Sequence, residues 1–88
     1  MSDQRAKDRA IWRSLSATQK KAMDSAAHAP LYKQRHGWQN QSVGHGGHAS
    51  NTIAALVKRG LLAHQFPNCV RITRKGSDVF GSIGEPVQ

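Results

Sequence analysis

The first regular pattern of apolar and polar positions runs over residues 3–14, DQRAKDRAIWRS. Its few apolar side chains, of which Ile11 and Trp12 are the largest, recur near one side of an otherwise charged segment, as in an amphipathic helix. Ser2 can cap the first turn, and Asp3 suits the positive end of the helix dipole. We therefore predict an N-terminal helix here.

A second helix is predicted to open at SATQ, residues 16–19, because Ser-x-x-Gln is the sequence of a capping box. Pro30 ends it. Its apolar positions form a narrow stripe of small side chains, namely Ala22, Met23, Ala26 and Ala27. Small side chains let a neighbouring element approach closely, so we expect this helix to be central to the fold.

The centre of the chain is poor in apolar residues and rich in glycine and histidine. LYKQRHGW, residues 31–38, alternates weakly, with Leu31 and Lys33 on one side, and predicts a single short strand. HGWQNQSVGHGGHAS, residues 36–50, then contains three of the five histidines and four of the eight glycines. This glycine-histidine stretch is predicted to be a loop.

SNTIAALVKRG predicts a third helix that starts at Ser50. Its apolar residues Ile53, Leu56 and Val57 follow the i, i+3, i+4 spacing of a buried helical face. Gly60 stands where a left-handed residue closes a helix. The other face is left to Asn51, Thr52, Ala55, Lys58 and Arg59.

Two further apolar stretches, LLAHQF and CVRIT, are joined by Pro67-Asn68 and predict a β-hairpin with a tight turn. RKGSDVFGSI then predicts a last helix with Thr73 as its cap, weakened by Gly76 and Gly81.

The order of these elements and two motifs resemble the winged helix-turn-helix family of DNA-binding regulators. LVKRGLL, residues 56–62, is similar to the end of that family's recognition helix and its turn into the wing. ITRKG, residues 72–76, is similar to the second wing strand where it passes into the next helix. The resemblance covers about residues 15–83. It implies an α+β winged-helix domain of three to four helices with a C-terminal β-hairpin wing.

The chain is expected to form one domain, residues 1–88, with residues 1–14 as an N-terminal helix and 84–88 as a frayed tail. Thirteen Lys and Arg against five Asp and Glu give a formal net charge of +8, spread from Arg5 to Lys75. A compact basic domain attracts polyanions, and nucleic acid is the first candidate partner.

Membrane and secretory functions fit the sequence poorly. No apolar run approaches the length that spans a bilayer, and no predicted helix joins a basic face to a large apolar face. The charged N-terminus lacks the apolar region of a secretory signal, and Cys69 is the one cysteine, which excludes an internal disulfide framework. We expect a cytoplasmic protein without membrane contact.

A helix in the major groove reads base edges with short polar residues near its N-terminus. Asn51 offers such a side chain, and Lys58 suits a phosphate. The expected nucleic-acid contacts on this helix are Ser50, Asn51, Thr52, Ala55, Lys58 and Arg59. Those expected elsewhere are Lys33, Arg35, His48, Arg71, Arg74 and Lys75. A structural interpretation also stands for each, since short polar residues favour helix starts and cations favour helix ends.

Residues 36–48 lie where the winged-helix family has a short helix, and their glycines and polar residues oppose one. GHGGHAS directly precedes a helix start, so it can cradle a phosphate, or it is a plain surface loop. His45 and His48 with His36, His64 or Cys69 are a weaker candidate for a zinc site, because structural zinc sites show two close ligand pairs. We expect no metal or cofactor.

The sequence lacks phosphate-loop, nucleophile-elbow and paired-carboxylate motifs, so we expect no enzyme. We expect a transcriptional regulator that occupies a site on duplex DNA. The resemblance implies a homodimer, for which Ile11 and Trp12 offer a contact. The alternative is a protein-binding adaptor or inhibitor of a nucleoprotein complex on a winged-helix scaffold, as in phage and mobile-element proteins.

Overall fold

A computed structural model describes residues 2–40 and 47–82, and within these ranges the chain is a small α+β protein, as predicted. The described helices are α1 (Ser2–Ser14), α2 (Ala17–His28), α3 (Ser50–Lys58) and α4 (Arg74–Gly81). The described strands are β1 (Leu31–Gln34), β2 (Gly37–Gln39), β3 (Leu62–Phe66) and β4 (Cys69–Ile72). These four strands form one antiparallel sheet in the order β2-β1-β4-β3.

The register of the sheet assigns its side chains to two faces. Leu31 on β1 is opposite Val70 on β4, and both side chains are fully buried in the core that the helices cover. We call this side the core face. Because successive side chains in a strand alternate, the neighbouring residues point the other way. On this outer face, Tyr32 is opposite Cys69. A register shift between His64 and Phe66 interrupts the alternation along β3 and places Phe66 opposite Cys69 as well.

Residues 31–38 form most of a hairpin rather than the predicted single strand. The chain turns after β1 and returns as β2, with Lys33 opposite Trp38. The turn leads into Gly37, the first residue of β2, whose φ of +113° lies in the region that favours glycine. Weak alternation does not reveal such a turn, so the single-strand prediction was wrong.

Hydrogen bonds close both ends of α2. Ser16 accepts from the backbone amide of Gln19 at 3.1 Å, and the Gln19 side chain accepts from the Ser16 amide at 2.9 Å, which confirms the predicted capping box. At the other end, the Asn40 side-chain amide donates to the carbonyl oxygens of Ser25 and Ala29, at 2.7 and 2.8 Å. The end of β2 is thereby tied to α2.

The small-residue stripe of α2 is buried except at one position. Ala22, Met23 and Ala26 are in the core, whereas Ala27 is exposed. Each residue turns a helix by about 100°, which carries Ala27 past the edge of the buried face. Ser25 lies on the opposite edge of the stripe and is buried.

The N-terminal helix packs on the last one. The Trp12 ring meets the Phe80 ring edge to face, with centroids 5.8 Å apart, and the Lys20 ammonium lies 5.8 Å from the Trp12 ring centre. Ile11 and Trp12, for which we predicted a dimer contact, are partly buried against the core of their own chain. The helix includes Ser2, so this residue is helical rather than the predicted cap.

The two motifs that carry the winged-helix resemblance meet in the fold. The Thr73 hydroxyl lies 2.7 Å from the Gly60 carbonyl oxygen and accepts from the Gly76 amide at 2.9 Å, which confirms Thr73 as the cap of α4. The Thr73 amide donates to the Leu61 carbonyl at 3.0 Å. Gly60 has a φ of +81°, the left-handed conformation predicted for it. We call this meeting point of α3, β3 and α4 the Thr73 junction.

Candidate nucleic-acid interface

Helix α3 has one anchored face and one open face. Ile53 and Leu56 are buried, as their spacing predicts, and Val57 packs partly against the core. On the opposite side, Asn51, Ala54 and Lys58 are exposed and follow an i, i+3, i+7 spacing. We call these three residues the open face of α3.

The open face differs from the predicted set at its centre. Thr52 and Ala55 are half-buried at its edges, whereas Ala54, which was not among the predicted contacts, is exposed. Two residues apart on a helix differ by about 200°, so Ala54 lies nearly opposite the buried Leu56. The exposed position of Ala54 could have been predicted from the sequence once Leu56 was assigned to the core.

The start of α3 is not closed by a capping side chain. Its N-cap residue, Ala49, has no side chain able to accept from the first turn, and Ser50 is the first helical residue. The backbone amides of a helix's first turn lack partners within the helix. This end therefore has the general character of an anion-binding terminus.

His48 contacts the protein itself. Its Nε2 lies 2.9 Å from the Ser25 hydroxyl, and its backbone exchanges two 2.9 Å hydrogen bonds with Trp38 on β2. Burial lowers the pKa of His48 from its ordinary value. The ring is therefore neutral at neutral pH and engaged with α2, which does not favour the phosphate contact that the sequence suggested.

Two glycines of the glycine-histidine stretch have a packing role. A Cβ on Gly47 would lie 2.7 Å from the Gly37 carbonyl carbon and 2.8 Å from the Trp38 amide nitrogen. A Cβ on Gly37 would lie 2.8 Å from the His48 carbonyl oxygen. The backbones of residues 37–38 and 47–48 thus touch in a way only glycine permits. Residues 41–46, and with them Gly44, His45 and Gly46 of the predicted phosphate cradle, lie outside the described residues.

The predicted basic contacts fall into two groups, and all of them are exposed. One group flanks the Thr73 junction and consists of Lys58, Arg59, Arg74 and Lys75. In this group, the Arg59 guanidinium donates to the Ser14 hydroxyl at 2.8 Å, so it points towards α1. The remaining three side chains extend from the surface around the end of α3.

The second group lies on the sheet and divides between its two faces. Lys33 is opposite Trp38, which places it on the side of the sheet that α3 packs on. Arg71 is opposite Ala63 and lies on the outer face, and Arg35 follows β1 in the turn. The structure therefore does not gather all predicted contacts on one surface.

The charge distribution is a signal that the sequence analysis overlooked. Between Ser25 and Ser77 there are seven Lys and Arg and no Asp or Glu, and this part contains the whole sheet and α3. Within residues 2–40 and 47–82, none of these seven side chains makes an ion pair with a carboxylate. Positive charge without internal compensation attracts a polyanion to the sheet and to α3.

Groups suited to other chemistry are sparse in the part of the chain that the structure describes. No three His, Cys, Asp or Glu residues come together there as a metal site. A shallow groove of about 260 Å³ beside the end of α2 is lined by Ala26, Ala27, His28, Ala29, Pro30, Gln65, Arg71 and Ile72. Its walls are mostly aliphatic, and they contain no carboxylate.

Among the described residues, no helix has the length and apolar character needed to cross a membrane. Comparison of the chain with protein-family models, with curated proteins and with solved structures found no match.

Proposed function

We propose that the protein binds double-stranded DNA, with the open face of α3 in the major groove. The observation that carries the proposal is α3 itself. It is held by Ile53 and Leu56 in the core, and it turns Asn51, Ala54 and Lys58 outward. It also lies within residues 25–77, which contain no Asp or Glu. An α-helix fits the major groove of B-form DNA, and such a helix needs a rigid attachment on its other side.

Each side chain of the open face has a distinct task in this proposal. Asn51, one residue into the helix, accepts and donates at the edge of an adenine. Ala54 is small enough to let the helix axis come close to the bases, and its methyl group can contact a thymine methyl. Lys58 contacts a phosphate at the groove edge, which positions the helix but reads no sequence.

Further phosphate contacts come from the basic side chains on the same side. We assign Arg74 and Lys75 beside the Thr73 junction, and Lys33 on the sheet, to the backbone flanking the groove. Arg59 is less suited because it bonds to Ser14. These contacts supply affinity for any sequence and make it strongly dependent on salt.

The arrangement around α3 supports a winged-helix architecture for the proposal. α3 leads into the β3–β4 hairpin through the left-handed Gly60, as the resemblance implies, and β1 pairs with β4 in the same sheet. β2 stands in part of the place of that family's first motif helix. We therefore propose that α3 enters the groove without a preceding helix, in a cytoplasmic regulator that acts by occupying its site as a homodimer.

The β1–β2 hairpin favours one alternative. A hairpin where a DNA-clamping helix is expected is the kind of change that converts the scaffold into an adaptor for a nucleoprotein complex. In that case a protein partner, rather than DNA, contacts α3.

Fluorescence anisotropy with a labelled duplex distinguishes the DNA-binding proposal from the adaptor alternative. Lys58→Gln is expected to weaken duplex binding about three- to tenfold, the loss of one phosphate contact at low salt. Lys21→Gln on the exposed side of α2 is the charge-matched control and is expected to have little effect. An equal loss of duplex affinity in the two variants would favour the adaptor. The adaptor would also be favoured if the protein binds no duplex but binds a protein partner, and that binding survives Asn51→Ala.

A further inference from the structure

The outer face of the sheet contains an unusual row of side chains. Tyr32 on β1, Cys69 on β4 and Phe66 on β3 are aligned across three neighbouring strands. Tyr32 is 49% exposed and Phe66 is 62% exposed, and they are the exposed large hydrophobic residues of the described chain. Cys69 between them is buried. We call these three residues the aromatic row.

Neither ring of the aromatic row stacks on another aromatic ring within residues 2–40 and 47–82. The ring contacts among the described residues join Trp12 to Phe80 and Trp38 to His64, all away from the outer face. Two strand spacings separate Tyr32 from Phe66, which places their backbones about 10 Å apart. The exposed fraction of each ring, about half for Tyr32 and more for Phe66, is available to a flat partner.

The charge around the aromatic row is positive. Arg71 shares the outer face, two residues along β4 from Cys69, and Arg35 lies in the turn that joins β1 to β2. No Asp or Glu lies on any of the four strands. A second copy of this chain would bring two such surfaces together against like charge, whereas an anionic partner with flat apolar groups matches both properties.

We propose that the aromatic row binds unpaired nucleotides of a single-stranded nucleic acid, with bases stacked on Tyr32 and Phe66 and phosphates near Arg71 and Arg35. Exposed aromatic side chains on a basic sheet provide a sequence-tolerant stacking surface, because every base has an aromatic face. This site lies on the side of the sheet opposite α3, so it is additional to the proposed duplex surface and does not depend on it.

The test measures binding of a fluorescein-labelled oligothymidylate of about 20 nucleotides, long enough to cover such a surface. In Tyr32→Leu/Phe66→Leu the bulk and apolar character remain but the rings are lost. This double variant is expected to bind at least about tenfold more weakly, since each stacked base contributes roughly 5- to 150-fold. Tyr32→Phe/Phe66→Tyr keeps the rings and is expected to bind within about twofold of wild type.

A charge-matched pair tests the phosphate contact. Arg71→Gln is expected to weaken oligothymidylate binding severalfold more than Arg13→Gln, which removes an exposed guanidinium from α1. The proposal is overturned if wild type does not bind the oligonucleotide at low salt, or if the leucine variant binds as tightly as wild type. It is also overturned if the aromatic swap loses as much affinity as the leucine variant.

Photocrosslinking of the wild-type protein gives a measurement that needs no variant to fold. With a bromodeoxyuridine oligonucleotide, adducts are expected on the peptides that contain Tyr32 and Phe66, and adducts confined to α3 would overturn the proposal. Lys58→Gln separates the two surfaces, because it should weaken duplex binding and leave oligothymidylate binding unchanged. If the protein binds the oligonucleotide but no duplex, the proposal for the aromatic row stands and the proposed duplex surface fails. If the protein binds an acidic protein and not the oligonucleotide, the proposal for the aromatic row is overturned.

Discussion

Gly76→Ala tests the Thr73 junction most severely. Gly76 is buried in the first turn of α4, and an added Cβ would overlap the Leu61 carbonyl oxygen and lie 2.9 Å from Ile72 Cγ1. The carbonyl belongs to the backbone and cannot swing away. The first turn of α4 must therefore move, although alanine is the better helix former by about 1 kcal/mol.

The loss of stability can be estimated from the contacts at the Thr73 junction. Movement of α4 weakens the Thr73 bonds to Gly60 and Leu61, each worth about 0.5–1.5 kcal/mol net. Overpacking adds about 1–3 kcal/mol. After subtraction of the helix-propensity gain, we expect Gly76→Ala to lower the free energy of unfolding by about 2–4 kcal/mol, which is about 10–25 °C in Tm for a domain of this size.

Urea denaturation followed by far-ultraviolet circular dichroism measures this loss. Gly81→Ala in the last turn of the same helix is the matched control, because nothing lies within 4 Å of its added Cβ. It is expected to be neutral or stabilising by up to about 1 kcal/mol. If Gly76→Ala proves as stable as Gly81→Ala, the close contact between α4 and Leu61 is not a feature of the folded protein.

Three further predictions concern stability. Ser16→Ala removes the hydroxyl that accepts from the Gln19 amide but keeps the backbone amide that donates to the Gln19 side chain. It should lower the free energy of unfolding by about 0.5–2 kcal/mol, and an unchanged urea midpoint would contradict this. Burial lowers the pKa of His48 in the folded state, so the stabilisation that the neutral ring provides is complete above the ordinary pKa of 6.5 and is lost as the pH falls below that value. His48→Gln should therefore flatten the dependence of Tm on pH below pH 6.5. Parallel curves for the variant and the wild type would contradict this. Gly37→Ala should lower the free energy of unfolding more than Gly60→Ala does. Both glycines have a positive φ, but only a Cβ on Gly37 would meet backbone atoms. Equal free energies of unfolding in the two variants would exclude the close approach of Gly37 to His48.

Features set by neighbouring residues in the chain were predicted correctly. The capping box at Ser16, the left-handed Gly60 and the Thr73 cap are each specified within a few residues, and all three are present. The α+β class and the β3–β4 hairpin follow from periodicity and the Pro67-Asn68 turn. Such signals are local, and spatial neighbours do not alter them.

Features that depend on distant residues were missed. β2 is held on one side by β1 and on the other by His48, a partner that no local pattern reveals. The hydrogen bond from Arg59 to Ser14, which lies 45 positions away in the chain, was likewise not predicted. The open face of α3 was predicted in part. Ala54 at its centre was not predicted, because alanine has no polar group that indicates a base contact.

The central claim, that α3 and its basic flank bind duplex DNA, is tested most directly by a titration of wild-type protein with duplex DNA over a range of salt concentrations. Four phosphate contacts, from Lys33, Lys58, Arg74 and Lys75, predict a slope of about −3.6 for the logarithm of the association constant against the logarithm of salt. Affinity should then fall about a hundredfold between about 50 and 200 mM salt. Absence of binding at the lowest salt, or a slope near zero, would contradict the claim.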